Sequence, residues 1–181
     1  MPSFSNQFLS KSDFIIARNC PAKLYYKKLK YPSIIDESGY MEYLAEGGYM
    51  VGKLATLLYP DGILVDTDSD QRKAIEQTEE YLSQENITLF EAAIFSNHKL
   101  VRIDILEKRG RNINLIEVKS KSYDSTDEED IKKKLDKELN DYIEDVAYQY
   151  YVLSEKYPEF DINPYLFLPD KAKRTKIEAL K

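Results

Sequence analysis

The clearest pattern of apolar and polar positions lies in the middle of the chain. Every second position is apolar between 101 and 105, and the same holds for 116 and 118. Alternation of period two predicts β-strands with one face in the core. Gly110 lies among polar residues in the connector 107–112, which predicts a hairpin. Asp104, Glu117 and Lys119 then share the second face.

The register of this hairpin follows from parity, since cross-strand neighbours lie on the same face. The register that satisfies it sets Asp104 opposite Glu117 and centres the turn between Gly110 and Arg111. Lys119 follows two residues beyond Glu117 on the same face. Two carboxylates and an ammonium therefore converge, and two such acids repel unless a cation lies between them.

Hard oxygen ligands of this kind suit Mg²⁺ or Mn²⁺. The chain has one Cys and one His, so a zinc site of Cys and His ligands is excluded. A divalent ion held by carboxylates lowers the pKa of a bound water, and a nearby lysine positions that water, which is hydrolytic chemistry. From spacing alone the alternative is that Asp104, Glu117 and Lys119 lie on the solvated face of an ordinary sheet.

The remaining pattern predicts helices and short strands on both sides of the hairpin. Ser10 and Ser12 are candidate N-caps, Pro21 opens a second helix, and Pro60 ends a third. A charged stretch over 120–134 is expected to form a mobile surface loop. We expect helices at 13–19, from Pro21, at 39–59, 69–84 and 135–156, and strands at 63–65, 87–95 and 165–168.

Length and composition fit one globular domain over 1–181, with 43% hydrophobic residues. No run approaches the roughly 18 apolar residues of a membrane span, and a signal-peptide pattern is absent, so we expect a cytoplasmic protein without membrane contact. The net charge of −6 argues against a surface devoted to nucleic acid. Lys23 and Lys27 interleave with Tyr25, which predicts either a local nucleic-acid contact or solvated surface.

The order of elements, with an acid on the second strand and Glu117-Val118-Lys119 on the third, resembles the PD-(D/E)XK nuclease superfamily. Within it the chain is similar to the RecB-like branch, which includes the CRISPR-associated exonucleases. The resemblance implies an α/β fold with a restriction-endonuclease-like αβββαβ core, in which helices flank a central mixed sheet. That core would span 39–170, behind a helical extension over 1–38. The resemblance also implies that Asp104, Glu117 and the Val118 carbonyl hold Mg²⁺ or Mn²⁺, and that Lys119 serves the attacking water.

Two further segments are similar to RecB-like nucleases. The stretch from Asp145 to Leu153 resembles the Q-x-x-x-Y helix motif, with Leu153 in place of the Tyr, and implies that Gln149 lies beside the active site and contacts DNA. The alternative for Gln149 is an exposed helix residue. The segment 48–52 resembles the G-x-x-x-H motif, whose His is a metal ligand, but Gly52 occupies that position.

An acid elsewhere in the chain is expected to compensate for the missing imidazole at position 52. Glu46 and Glu91 are the candidates. Glu91 is preferred because an acid within an apolar strand needs a partner. We therefore expect Glu91 to be an auxiliary metal ligand.

The segment 19–25 resembles the C-P-x-(K/R)-x-Y segment of RecB-like proteins, whose Cys joins three others in iron–sulfur members. A [4Fe–4S] cluster takes four thiolates, and this chain offers only Cys20, so no iron–sulfur cluster is expected from it alone. Cys20 is instead expected to pack in the core.

The sequence thus predicts a divalent-metal-dependent nuclease that hydrolyses phosphodiester bonds in DNA, in repair, recombination or defence. The alternative is a non-catalytic nucleic-acid-binding or assembly subunit that keeps the nuclease scaffold. A third interpretation is an unrelated α/β protein. The sequence leaves open whether the DNA is single- or double-stranded, and whether a fusion or protein partner is involved.

Overall fold

A computed structural model of the chain describes residues 8–32, 39–65, 70–133 and 139–174. Helices and strands alternate in it as in an α/β protein. The elements are β1 (Leu9–Ser10), α1 (Lys11–Asn19), α2 (Pro21–Lys28), α3 (Gly39–Thr56), β2 (Ile63–Leu64), α4 (Gln71–Leu82), β3 (Asn86–Ser96), β4 (Lys99–Arg109), β5 (Asn112–Val118), α5 (Glu128–Lys133), α6 (Asn140–Lys156) and β6 (Asp161–Phe167).

The strands form one mixed sheet in the order β2-β3-β4-β5-β6. Strand β4 is antiparallel to both β3 and β5. At the edges of the sheet, β2 runs parallel to β3 and β6 runs parallel to β5. The short β1 pairs in parallel with the first two residues of β4. The prediction of an α/β protein with a mixed sheet flanked by helices is therefore confirmed at this level.

Both tight turns of the meander have the backbone conformations that two-residue hairpins require. Asn97 and His98 link β3 to β4 with φ of 42° and 62°, as in a type I′ turn. Gly110 opens the turn between β4 and β5 with φ of 58°, a conformation that glycine adopts without a Cβ penalty. Ile105 pairs with Ile116. The register predicted from parity is therefore confirmed.

The prediction that only one face of the hairpin lies in the core is wrong. Ile105 and Leu106 point to opposite faces of β4, yet their exposed fractions are 1% and 0%. Ile105 packs in a small cluster with Ala55 of α3, whereas Leu106 belongs to the large cluster that includes Leu153 of α6. Helices cover both faces of this sheet, so its central strands carry near-continuous apolar runs.

Of the two candidate N-caps, Ser10 is the one used, so α1 begins at Lys11, two residues before the predicted start at 13, whereas α2 begins at Pro21 as predicted. Ser10 caps α1, accepting from the Asp13 N–H while the Asp13 carboxylate accepts from the Ser10 N–H, and Pro21 opens α2. Lys27 and Lys28 reach back to the buried Asp13 at 2.9 and 2.7 Å. This hairpin of helices is therefore tied to the start of α1.

Several element bounds differ from the sequence prediction. Helix α3 ends at Thr56 rather than 59, and α4 begins at Gln71 after the N-cap Asp70. The stretch predicted as a loop contains α5, and Tyr123 forms a bridge with Asp170. Predictions for 1–7, 33–38, 66–69, 134–138 and 175–181 lie outside the described residues. Across the described ranges, every helix is too short or too polar to cross a membrane.

Gly62 lies against the core, and its substitution is expected to destabilise the fold. A Cβ built at Gly62 would lie 2.2 Å from Cζ of Phe90, which packs in the small core cluster, whereas Gly47 has nothing within 4 Å. We expect Gly62→Ala to lower the free energy of unfolding by about 1 to 3 kcal/mol through overpacking. The control Gly47→Ala, within α3, should raise it by up to about 1 kcal/mol. Urea denaturation of both variants measures the difference, and equal effects would contradict this packing.

Candidate active site

Glu117 is a carboxylate with 1% exposure near the end of β5, and both of its oxygens are engaged. Oε1 accepts from Nζ of Lys11 at 2.6 Å and lies 2.7 Å from Nζ of Lys119. Oε2 accepts from Nε2 of Gln149 at 2.5 Å. Although burial raises it, the two ammonium groups hold the pKa of Glu117 below its ordinary value. The interpretation of Glu117 as solvated sheet surface is therefore wrong.

Lys119 lies between Glu117 and Asp145. The spacing of the hairpin predicts its proximity to Glu117 but not to Asp145. Its Nζ is 2.8 Å from Oδ2 of Asp145 and also faces the ring of Tyr142. Burial lowers the pKa of Lys119, but Glu117 and Asp145 together hold it above its ordinary value. Lys119 is therefore a fixed ammonium that donates hydrogen bonds and does not accept a proton.

Asp104 lies on β4 beside the end of β5, and its Oδ2 accepts from the Val118 N–H at 2.7 Å. Burial, followed by repulsion from Glu117, raises the pKa of Asp104 to about 7, against the opposing effects of Val118 and Lys11. Glu91 adds to the repulsion. Of the two hairpin acids, Asp104 therefore carries the proton near neutral pH.

Asp104 and Glu91 line the same cavity of about 800 Å³. Glu91 lies within β3 with φ of 55°, an unusual conformation for a residue other than glycine, and one that often occurs at functional sites. Burial raises the pKa of Glu91, while Arg102 opposes the shift. The expected proximity of Glu91 to the hairpin acids is thus seen in the structure. Glu46 is exposed and does not line this cavity.

Part of the cavity wall is a helix face with small residues. Gly48, Tyr49, Gly52 and Lys53 of α3 line it at helical spacing. A Cβ built at Gly52 has nothing within 4 Å, so the cavity has room for a side chain there. Both glycines of the segment 48–52 therefore line the same cavity as Asp104 and Glu91, and position 52 carries no imidazole.

Gln149 is completely buried in α6, which excludes the interpretation of an exposed helix residue. Its Nε2 orients Glu117, as described above, while its Oε1 has no hydrogen-bond partner within the described ranges. The same is true of Oδ1 of Asp145, one helical turn earlier. Leu153, in place of the motif's Tyr, packs in the large core cluster.

Sequence reasoning missed two members of this cluster. Asp145 lies four residues before Gln149, so helical spacing could have placed both on one face. Lys11 gives no such signal, because it is 106 residues from Glu117 and arrives through the docking of α1.

The basic and aromatic residues of α2 lie outside the cluster. Lys23 is exposed and Tyr25 is 62% exposed, whereas Lys27 is paired with Asp13. The prediction that Cys20 packs in the core is wrong, since Cys20 is exposed. It lies at the corner between α1 and α2, where it ends one helix and precedes the other.

The oxygens gathered here fit Mg²⁺ or Mn²⁺ in type. Asp104, Glu91 and Glu117 offer hard carboxyl oxygens, and the charge of a divalent cation would oppose the burial and the repulsion that raise the pKa of Asp104. Within the described residues, no group of three or more His, Cys, Asp or Glu side chains is already arranged as a metal shell. Because both Glu117 oxygens already have hydrogen-bond partners, Glu117 could bind a metal ion only by giving up at least one of them.

No family model, no curated protein and no solved structure matches this chain. Its function therefore has to be inferred from these side chains and their surroundings.

The protonation of Asp104 predicts a pH-dependent cost to folding in the presence of a chelator. Between about pH 4 and pH 7 the folded chain retains a proton that the unfolded chain has released, so stability falls as the pH rises. Asp104→Asn keeps an acceptor for Val118 without this cost. Its free energy of unfolding should rise relative to the unmodified chain by about 1 to 3 kcal/mol from pH 5 to pH 8. Denaturation at both pH values measures this; the exposed Asp61→Asn is the control, and a pH-independent difference contradicts the assignment.

Proposed function

We propose that this protein is a divalent-metal-dependent nuclease that hydrolyses phosphodiester bonds in DNA. The observation that carries the proposal is that Val118, between the buried Glu117 and its partner Lys119, lines the same cavity as Asp104 and Glu91. Acids whose pKa values are displaced by burial and by one another are typical of catalytic sites.

Asp104, Glu117 and the Val118 carbonyl would hold the metal, with Glu91 as an auxiliary acid. Bound Mg²⁺ or Mn²⁺ would neutralise phosphodiester charge and acidify a water molecule. The Val118 N–H already fixes the Asp104 carboxylate, so this proposed ligand on β4 lies beside the end of β5, which carries the other proposed ligands. Such preorganisation reduces the cost of assembling the site around substrate.

Lys119 would position the attacking water and stabilise the developing negative charge. Its ammonium is fixed by Glu117 and Asp145, and its side chain retains 22% exposure. A donor that is held in place before reaction stabilises charge without reorganisation. Gln149 acts indirectly, because its amide orients the Glu117 carboxylate from within α6.

The cavity wall formed by α3 provides an entry for a polyanion. Gly48 and Gly52 leave space, while the exposed Tyr49 and Lys53 offer a ring and a positive charge at its side. Lysine contacts to phosphates and base stacking on aromatic rings are common in binding to single or double strands of DNA.

Replacing Lys119 should strongly reduce DNA cleavage, whereas replacing a matched lysine elsewhere in the chain should not. We expect Lys119→Ala to reduce the rate of Mn²⁺-dependent degradation of DNA by at least about 100-fold, because the donor beside the attacking water is lost. Lys99→Ala is the control, since Lys99 is also a partly buried lysine paired with a glutamate, at 3.0 Å from Glu155. Gel assays on linear and circular DNA measure both rates, with circular dichroism as the check on folding.

Cleavage by Lys119→Ala at the rate of the unmodified chain would rule out this mechanism. A preparation that degrades DNA equally well in the presence of a chelator would rule out the dependence on metal.

The second candidate is a non-catalytic nucleic-acid-binding or assembly subunit that retains the scaffold. It is favoured by Gly52 at the position of the expected imidazole and by the occupation of both Glu117 oxygens. Calorimetry without detectable Mn²⁺ binding, together with intact DNA affinity, would support this candidate.

Restoring an imidazole at position 52 should strengthen metal binding if the cavity is the metal site. A side chain at Gly52 meets nothing within 4 Å of its Cβ, and the position lines the same cavity as Asp104. We expect Gly52→His to tighten Mn²⁺ binding by about tenfold, as an added ligand would. Gly47→His in the same helix is the control, because Gly47 does not line the cavity. Titration calorimetry measures both affinities, and equal values in the two variants would exclude this geometry.

A further inference from the structure

Lys11 delivers a positive charge to the candidate active site from a position 106 residues before Glu117. Its Nζ lies 2.6 Å from Oε1 of Glu117 and 3.9 Å from Oδ2 of Asp145. Lys119 contacts the same Oε1 at 2.7 Å. One carboxylate oxygen therefore has two ammonium partners, only one of which is part of the hairpin.

Lys11 is held in this position by the docking of α1. Ser10, immediately before it, caps the helix and pairs with β4 through β1. Phe14 stacks on Tyr148 of α6 with 4.5 Å between ring centroids, and the Tyr148 hydroxyl donates to the Leu9 carbonyl at 3.2 Å. The backbone on both sides of Lys11 is thus attached to the sheet or to α6.

The charge of Lys11 acts on all three acids of the site. It lowers the pKa of Glu117 and also, behind the larger effect of burial, those of Asp104 and Glu91. A divalent cation at the same carboxylates would have the same effect with twice the charge. Lys11 therefore already supplies positive charge to the carboxylates that would hold a metal.

We propose that Lys11 is a resident counter-ion that competes with the divalent cation for Glu117 and so sets the metal affinity of the site. This inference rests on the proposed function, because it assumes that Glu117 is a metal ligand. A cation bound by Glu117 would lie close to the Lys11 ammonium, and two positive charges at short distance repel strongly in a partly buried site. Binding of the cation and pairing of Lys11 with Glu117 therefore oppose each other.

The two lysines have different roles in this arrangement. Lys119 has a second close partner, Asp145 at 2.8 Å, whereas Lys11 lies 3.9 Å from that acid. When Glu117 turns toward a cation, Lys119 keeps an anionic partner and Lys11 loses its closest one. Lys11 is therefore the ammonium that yields, and Lys119 remains available for hydrolysis.

The test is Mn²⁺ binding to the full chain in the absence of DNA, measured by titration calorimetry. We expect Lys11→Met, which keeps the length of the side chain without the charge, to bind Mn²⁺ about tenfold more tightly than the unmodified chain, on the scale of typical coupling between two ligands. Lys99→Met, which removes the paired lysine of β4, should leave the affinity unchanged. Without metal, Lys11→Met should melt at a lower temperature, and Mn²⁺ should raise its melting temperature more than that of the unmodified chain.

The direction of the change separates competition from a merely structural role. If Lys11 only stabilised the docking of α1, its loss would loosen the site and weaken Mn²⁺ binding. Equal or weaker binding by a folded Lys11→Met, beside measurable binding by the unmodified chain, would overturn the proposal and leave the proposed function intact. An absence of binding in every variant would overturn the metal site and, with it, both proposals.

Two further variants keep the test decisive if Lys11→Met does not fold. Lys11→Gln retains a hydrogen-bond donor toward Glu117 without the charge, and it should also tighten Mn²⁺ binding. Lys11→Arg retains the charge and should keep the affinity near that of the unmodified chain. If the two variants have the same affinity, the charge of Lys11 is not a competitor.

Discussion

The buried carboxylate of Glu117 is the constraint on which the arrangement of this molecule depends. An ionised acid with almost no exposure carries a desolvation cost of several kcal/mol, which must be offset by close partners. Those partners are Lys11, Lys119 and Gln149, and they belong to α1, to the end of β5 and to α6. Three separate parts of the chain therefore have to be in place before this charge is satisfied, which makes the N-terminal helix part of the site.

The sheet determines where the acids meet. Strand β4 pairs with β5 over residues 105–109 and with β1 over 99–100. Asp104 lies between these two paired stretches of β4. The end of β5 approaches there, and the Val118 N–H is directed at the Asp104 carboxylate instead of a strand partner. Interruption of the ladder thus frees an acceptor and a donor at the position where the cavity opens. The twist of Glu91 out of regular strand geometry adds a third acid on the other neighbour of β4.

The parts of this picture that depend on local rules could be predicted from the sequence. Period and parity predicted the register of the hairpin and placed Lys119 on the same face as Glu117. Ser10, one of two candidate N-caps, and Pro21, as a first helical residue, marked the starts of two helices. Long-range packing could not be predicted in this way. The contact of Lys11 spans 106 residues, and the exposure of Cys20 depends on how two short helices meet. Burial of both sheet faces likewise depends on where α3 and α6 lie.

The distance in sequence between Lys11 and Glu117 also implies an order of assembly during folding. The acids come from a meander joined by two-residue turns, whose closure costs little chain entropy. Joining Lys11 to Glu117 instead closes a loop of more than a hundred residues, which is favourable only after the sheet and α6 exist as a surface. The acidic centre is therefore expected to form first with Lys119 beside Glu117, and the docking of the N-terminal helix adds the second positive charge as a late step.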